Sequence, residues 1–230
     1  GFGPDSLAEI SRGLAGLPVS VRSGPGRMEP SRNIPLKEGS SVAFSLVTGD
    51  AEMSAIGTVT YRRGNRVLAF GHKFLSAGPL CAPMSTVWVH DVFPSYQASY
   101  KLASPVAEVG ASGQDRPVGM SGALGAARSM IPMDITVQDD SGTPLRFHAD
   151  IVNHPLFTPM LARAVATEAL ARKRPYSGEA EAKVTVDISA DGIGEITRSN
   201  TFFSAADIRP GALSEFDTLL SLLQDNRFHP

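Results

Sequence analysis

The sequence predicts a mainly β protein, with one helix ahead of the β region and mixed helix and strand segments after it. Three observations carry this reading. From Leu36 to about Val152, apolar and β-branched residues recur in short runs broken by Gly and Pro. No helical pattern separates those runs, which argues for a barrel or sandwich and against a parallel α/β sheet. Beyond His154 the spacing turns helical, then strand-like, then helical again.

The elements follow in order. Over Pro4–Leu17 the residues Leu7, Ile10, Leu14 and Leu17 share one helix face, with Asp5 or Ser6 as the expected cap. Val19–Ile34 is rich in Gly, Pro, Ser and Arg and reads as an extended connector. Strands are expected over Ser41–Val47, Ala55–Tyr61, Arg66–Phe70, Thr86–Val92, Tyr96–Lys101, Met133–Gln138 and Leu145–Val152. Arg63-Gly64-Asn65 and Asp139-Asp140-Ser141-Gly142 supply tight turns between neighbouring strands. Thr158–Lys173 reads as an amphipathic helix, opened by Pro159 and closed by Arg172-Lys173-Arg174-Pro175, that packs on the β core. Glu181–Ile188 and Gly194–Phe203 form a second strand pair, and Leu213–Leu223 a last helix. The chain thus divides into 1–35, a helix and connector; 36–154, the β domain; and 155–230, a helix, strand pair and helix packed on it.

Composition limits the function classes. The 230 residues are 42% hydrophobic and 19% charged, enough for a sizeable core. A net charge of −2 supplies no basic field, so nucleic acid is not an expected partner. The one cysteine, Cys81, excludes an internal disulfide and a zinc site of several thiolates. Set in an apolar Gly-Pro loop, it is expected as a small buried hydrophobe. No apolar run is long enough to cross a membrane, and no signal peptide is visible. A first residue of Gly suggests a piece of a longer chain, whose other domains would be partners. No phosphate loop, H-x-H or HExxH pattern is present, so neither a cofactor nor a metal is expected.

Two glycine-bracketed sites stand out. His72 follows Gly71 at a strand end, where an imidazole either carries chemistry or hydrogen-bonds a loop carbonyl. Ser121 lies in Gly119-Met120-Ser121-Gly122, either as a plain turn residue or as a serine held exposed near free backbone N–H groups. With His72 as base, Ser121 as nucleophile and Asp115 or Asp91 as orienting acid, these residues compose a serine-hydrolase set. The other histidines offer less. His90 and His148 fall in strand-like runs, His154 starts a turn before Pro155, and His229 is near the end. Asp50, after Gly49, is expected in a structural turn.

The run VTGDAEMSAIGTVTYRRGNRVLAFGHKFLSAGP resembles the SpoIVB peptidase family, the stage IV sporulation serine peptidases and their bacterial relatives. Further matches follow in order: Ser99-Tyr100-Lys101-Leu102, Val109-Gly110, Gln114-Asp115-Arg116, Gly119 to Gly122, and Met130-Ile131-Pro132-Met133. The resemblance covers about 36–154. It implies a trypsin-like β-barrel core acting outside the cytoplasm, in the bacterial periplasm or cell envelope, on a peptide or protein. Family members are often joined to a PDZ module. His72 matches the family's catalytic histidine. The family's serine motif, GMSGSP, lies downstream of the region reading RFHADIVNHP here, and this chain has no such motif there. Two functions follow as expectations: a serine endopeptidase using His72, Ser121 and Asp115, or a non-catalytic barrel that binds a peptide or envelope protein.

Overall fold

The chain runs α1 (Pro4–Gly13), β1 (Ser41–Gly49), β2 (Met53–Arg63), β3 (Arg66–Ala69), β4 (Gly78–Pro79), β5 (Pro83–Phe93), β6 (Tyr100–Arg116), β7 (Gly119–Leu124), β8 (Met130–Val137), β9 (Leu145–Val152), α2 (Thr158–Lys173), β10 (Ala180–Ala190), β11 (Gly194–Ser204) and α3 (Ile208–Gln224). This is a computed structural model that describes residues 1–15, 21–24, 26–27, 33–96, 99–140, 142–174 and 177–224. Half of the expected connector, Ser141 of the second turn, Pro175 and His229 lie outside the described residues.

Nine strands form one antiparallel sheet in the order β2-β3-β7-β6-β5-β1-β9-β8, with β4 paired to β6. An added pairing of β2 with β1 closes β1, β2, β3, β7, β6 and β5 into a ring. β1 is the shared strand: Val42, Ala43 and Phe44 face Gly57, Ile56 and Ala55 of β2 on one side and Thr86, Ser85 and Met84 of β5 on the other. Its far end, Val47–Gly49, switches to pair with β9. Seven successive β1 residues, Val42–Thr48, are buried in consequence, since neighbours cover both faces. β10 and β11 form a separate two-stranded ribbon against α3.

β7 was not expected from the sequence, and β6 runs to Arg116, far past the strand expected to end at Lys101. Glycines and prolines disguise both strands. Gly110 and Gly122 lie where neighbouring backbone comes too close for a side chain: a Cβ would stand 2.0 Å from Ala123 O and 2.9 Å from Ala111 O, respectively. Cys81 is exposed, not buried. In extended backbone its neighbours Leu80 and Ala82 take the core side, and alternation turns the thiol out.

Helices α1 and α3 pack on α2, which also meets β8 and β9. α2 is not amphipathic as expected. Leu161, Ala162, Ala164, Val165, Ala166, Thr167, Glu168 and Ala169 are all buried, because partners cover it on several sides. α1 carries no side-chain cap, and Pro4 opens it. Ser6 is instead inside the helix, donating to Glu168 Oε2 at 2.9 Å. α3 starts at Ile208, earlier than expected, because Pro210 is tolerated in a first turn where its missing N–H costs nothing.

Glu168 docks α1. It accepts from Gly3 N–H at 2.7 Å, from Ser6 Oγ and from Arg172 Nε at 2.9 Å. Burial pushes its carboxyl pKa up, but these hydrogen bonds outweigh burial and hold it below the ordinary glutamate value. A depressed native pKa contributes stability above the unfolded value, and that stability is lost as pH falls through the native one. Glu168→Gln is therefore expected to cost about 2 kcal/mol at neutral pH, with the difference from wild type shrinking below about pH 4. Urea titrations across pH measure this.

The Phe70 ring stands where a Gly57 side chain would be: a Cβ there would lie 1.9 Å from Phe70 Cδ1 and Cε1. Gly57→Ala is expected to destabilise by about 2–3 kcal/mol, and Phe70→Leu in the same chain to recover part of the loss in a double-mutant cycle.

Candidate functional site

His72 owes its position to a short strained segment. Phe70 and Gly71 follow β3 with φ of +77° and +73°. That conformation is rare for a bulky residue and persists only where packing enforces it. Phe70 N–H donates to Thr58 O at 2.9 Å, and its ring meets Phe44 and Phe74 edge-on at 5.7 and 5.9 Å. The His72 ring lies 5.7 Å from the same Phe70 ring. His72 is exposed, and its Nδ1 is 2.7 Å from Lys73 O. A carbonyl only accepts, so Nδ1 carries the proton and Nε2 is the basic nitrogen of the neutral ring.

Asp115 is 1% exposed at the end of β6. Its Oδ1 accepts from Phe74 N–H at 3.0 Å, and its Oδ2 from Leu75 and Ala77 N–H at 2.7 and 3.0 Å. Both oxygens thus hold the backbone that follows His72, not the imidazole itself. His154 ties the same loop from the other side: its Nε2 stands 3.2 Å from Ala77 O, and its Nδ1 accepts from Leu156 N–H at 3.3 Å.

Ser121 lies within β7, between Leu68 of β3 and Gln114 of β6. It sits neither on a turn nor on a strained elbow. The glycines around it serve the strand: Gly119 adopts φ +148° at the strand start, and Gly122 admits the close approach of β6. No hydrogen bond joins Ser121 to His72 or Asp115 among the described residues. Asp91 is exposed, and its Oδ1 accepts from Val92 N–H at 2.8 Å. The sequence-predicted residues are therefore placed at separate tasks.

Beside His72 is a cavity of about 350 Å³. Leu46, Ile56, Phe70 and Phe74 give it apolar walls, Leu7 and Leu14 border it from the N-terminal helical segment, and Ala103 and Pro105 from β6. Val21–Gly24 of the connector, without regular secondary structure, also lines it. The polar groups at this cavity include His72, Arg22 and Glu52. Burial raises the Glu52 carboxyl pKa, against the opposing Arg27 charge and the Ser54 hydroxyl 3.4 Å away. Sequence reasoning missed Glu52. Its signal was slight: one acid between a Gly-Asp turn and an apolar strand.

Lys101 was also missed as a site residue. Its Nζ reaches Thr58 Oγ1 at 2.7 Å, Ser41 Oγ at 3.0 Å and Gly57 O at 3.4 Å. Burial lowers its pKa. On the outer surface, His148 Nδ1 meets Asp134 Oδ1 at 2.8 Å, which raises the imidazole pKa. Among the described residues no three His, Cys, Asp or Glu side chains gather to hold a metal, and no helix is long and apolar enough to cross a membrane.

Comparison with family models, with curated proteins and with solved structures gives no match for this chain.

Asp115→Asn keeps one acceptor oxygen and turns an amide N–H₂ toward backbone N–H donors. The expected result is a loss of about 2 kcal/mol, with hydrogen-exchange protection falling first at Phe74, Leu75 and Ala77.

Proposed function

We propose that this chain is a SpoIVB-peptidase-like β domain that holds an extended peptide in the cavity beside His72, and that His72, Ser121 and Asp115 do not act there as a triad. One observation carries the reading. Both Asp115 oxygens are bound to loop N–H groups and Ser121 is held in mid-strand, while the space beside His72 is an apolar cavity already lined by a stretch of chain without regular structure. Val21 packs on the hydrophobic core and Ser23 is exposed, which fits a ligand with apolar anchors on an extended backbone. The closed ring of six strands supports a barrel of the trypsin-like kind. The resemblance over 36–154 supports a peptide or protein ligand and an envelope location.

The peptidase alternative rests on His72, whose free Nε2 suits a base. Among the described residues no acid bonds Nδ1, which meets Lys73 O, and no serine bonds the imidazole.

Fluorescence anisotropy with a library of short labelled peptides tests the binding reading. Ile56→Glu is expected to weaken the best binder about tenfold or more, and Ser121→Ala to leave it unchanged. Cleavage of such a peptide, lost in both Ser121→Ala and His72→Ala, would overturn the proposal in favour of the triad.

A further inference from the structure

The β5–β6 hairpin runs on past β1. β5 pairs with β1 only over Met84–Thr86, yet it stays paired with β6 as far as Phe93. The projecting arm turns back, so that Lys101 of β6 meets β1 and β2, strands to which β6 is not paired. Lys101 lies one strand repeat from Ala103 and two from Pro105, which line the cavity, so the three share a face. On β2, Thr58 stands one repeat from the cavity residue Ile56. Ser41 is the register partner of Thr58, which puts their hydroxyls side by side. The amine and both hydroxyls therefore extend the cavity wall by one step.

The Lys101 amine donates to three oxygens, Thr58 Oγ1 at 2.7 Å, Ser41 Oγ at 3.0 Å and the Gly57 carbonyl at 3.4 Å. Loss of one proton would leave Thr58 and Gly57 as acceptors for the two remaining N–H groups and turn a lone pair to the Ser41 hydroxyl. Lys101 forms no ion pair with a carboxylate among the described residues. Desolvation disfavours its charged form. Ser41 is half-buried and so still reachable. A serine bonded to an amine that a third group orients is the arrangement of an activated nucleophile.

We infer that Ser41 and Lys101 form a Ser–Lys nucleophilic pair that cleaves a peptide or ester carbonyl whose apolar acyl portion lies in the cavity. Ser41 Oγ bonds to the carbonyl carbon while its proton passes to Lys101 Nζ. The tetrahedral intermediate collapses, the C–N or C–O bond breaks, and the departing amine or alcohol takes that proton. Lys101 then deprotonates a water, which attacks the acyl-Ser41 ester. Ser41 leaves with the proton, and a carboxylic acid is released. No further reactant is needed. Thr58 is a positioning residue that aims the amine.

A fluorophosphonate probe tests this without a known substrate. Ser41 Oγ would displace fluoride from phosphorus, and the proton would go to Lys101. The expected result is an adduct mapped by mass spectrometry to Ser41, absent in Ser41→Ala and unchanged in Ser121→Ala. The labelling rate should rise with pH through a midpoint below the ordinary lysine range. Lys101→Arg separates a base from a mere latch. Its guanidinium can still donate to Thr58 and Gly57, so the thermal midpoint should stay near wild type, while labelling falls about 10²-fold or more. A folded wild type with no adduct at Ser41, or Lys101→Arg labelled at the wild-type rate, overturns the inference. Either result leaves peptide affinity in the cavity untouched, so the two proposals fail separately.

Discussion

Ring closure and the His72 loop depend on one contact, the Phe70 ring on Gly57. Closure brings β1 and β2 together, and at Gly57 the strand offers no side chain, only the space a ring can fill. Phe70 takes that space at the cost of a left-handed backbone, which by general estimates costs about 1–3 kcal/mol. Burial of the ring against Phe44 and Phe74 offsets that cost. The same conformation turns the chain out of β3 and aims the next residues away from the sheet. His72 is exposed at this point because Phe70 is anchored.

The loop beyond is held from both sides by polar side chains that hydrogen-bond its backbone. Asp115 collects three backbone N–H groups, and His154 offers its Nε2–H to the Ala77 carbonyl. Loop backbone in a core would otherwise leave its donors unsatisfied. A carboxylate with both oxygens bound in this way is a poor candidate to orient an imidazole. The arrangement instead fixes one wall of the cavity, with Phe74 and Leu75 facing into it. Rigidity there favours recognition, because little ordering remains to be done when a ligand arrives.

The β elements were legible wherever alternation was regular. β2, β3, β9, β10 and β11 lie within a few residues of their expected spans, and α2 spans Thr158–Lys173 as expected. β7 was illegible because the glycines that admit close strand packing, Gly119 and Gly122, read locally as a turn around a reactive serine. The amphipathic reading of α2 failed because helical spacing does not reveal how many neighbours will cover a helix. At the site, His72 was visible through its glycine and strand end, including the alternative of a bond to a loop carbonyl. Asp115 was visible as an acid near a glycine motif, but its partners lie about forty residues earlier in the chain. Glu52 and Lys101 gave almost no signal, since their settings arise from strands brought together by closure.

Closure also decides how a ligand can approach. Each of the six ring strands is paired along both edges over part of its length, so the ring offers little room for an added strand. Free edges of the main sheet lie at β8, where Pro132 has no N–H to donate and Asp134 is exposed, and along β5 beyond Thr86. Strand addition is thus discouraged at β8 and blocked where ring strands are already paired on both edges. Recognition through side chains in a cavity has no such obstacle. The cavity beside His72 combines an apolar wall, a strained and well-anchored loop, an imidazole with a free nitrogen and a carboxyl of raised pKa. At this concavity the connector residues Val21–Gly24 meet both apolar and ionisable groups.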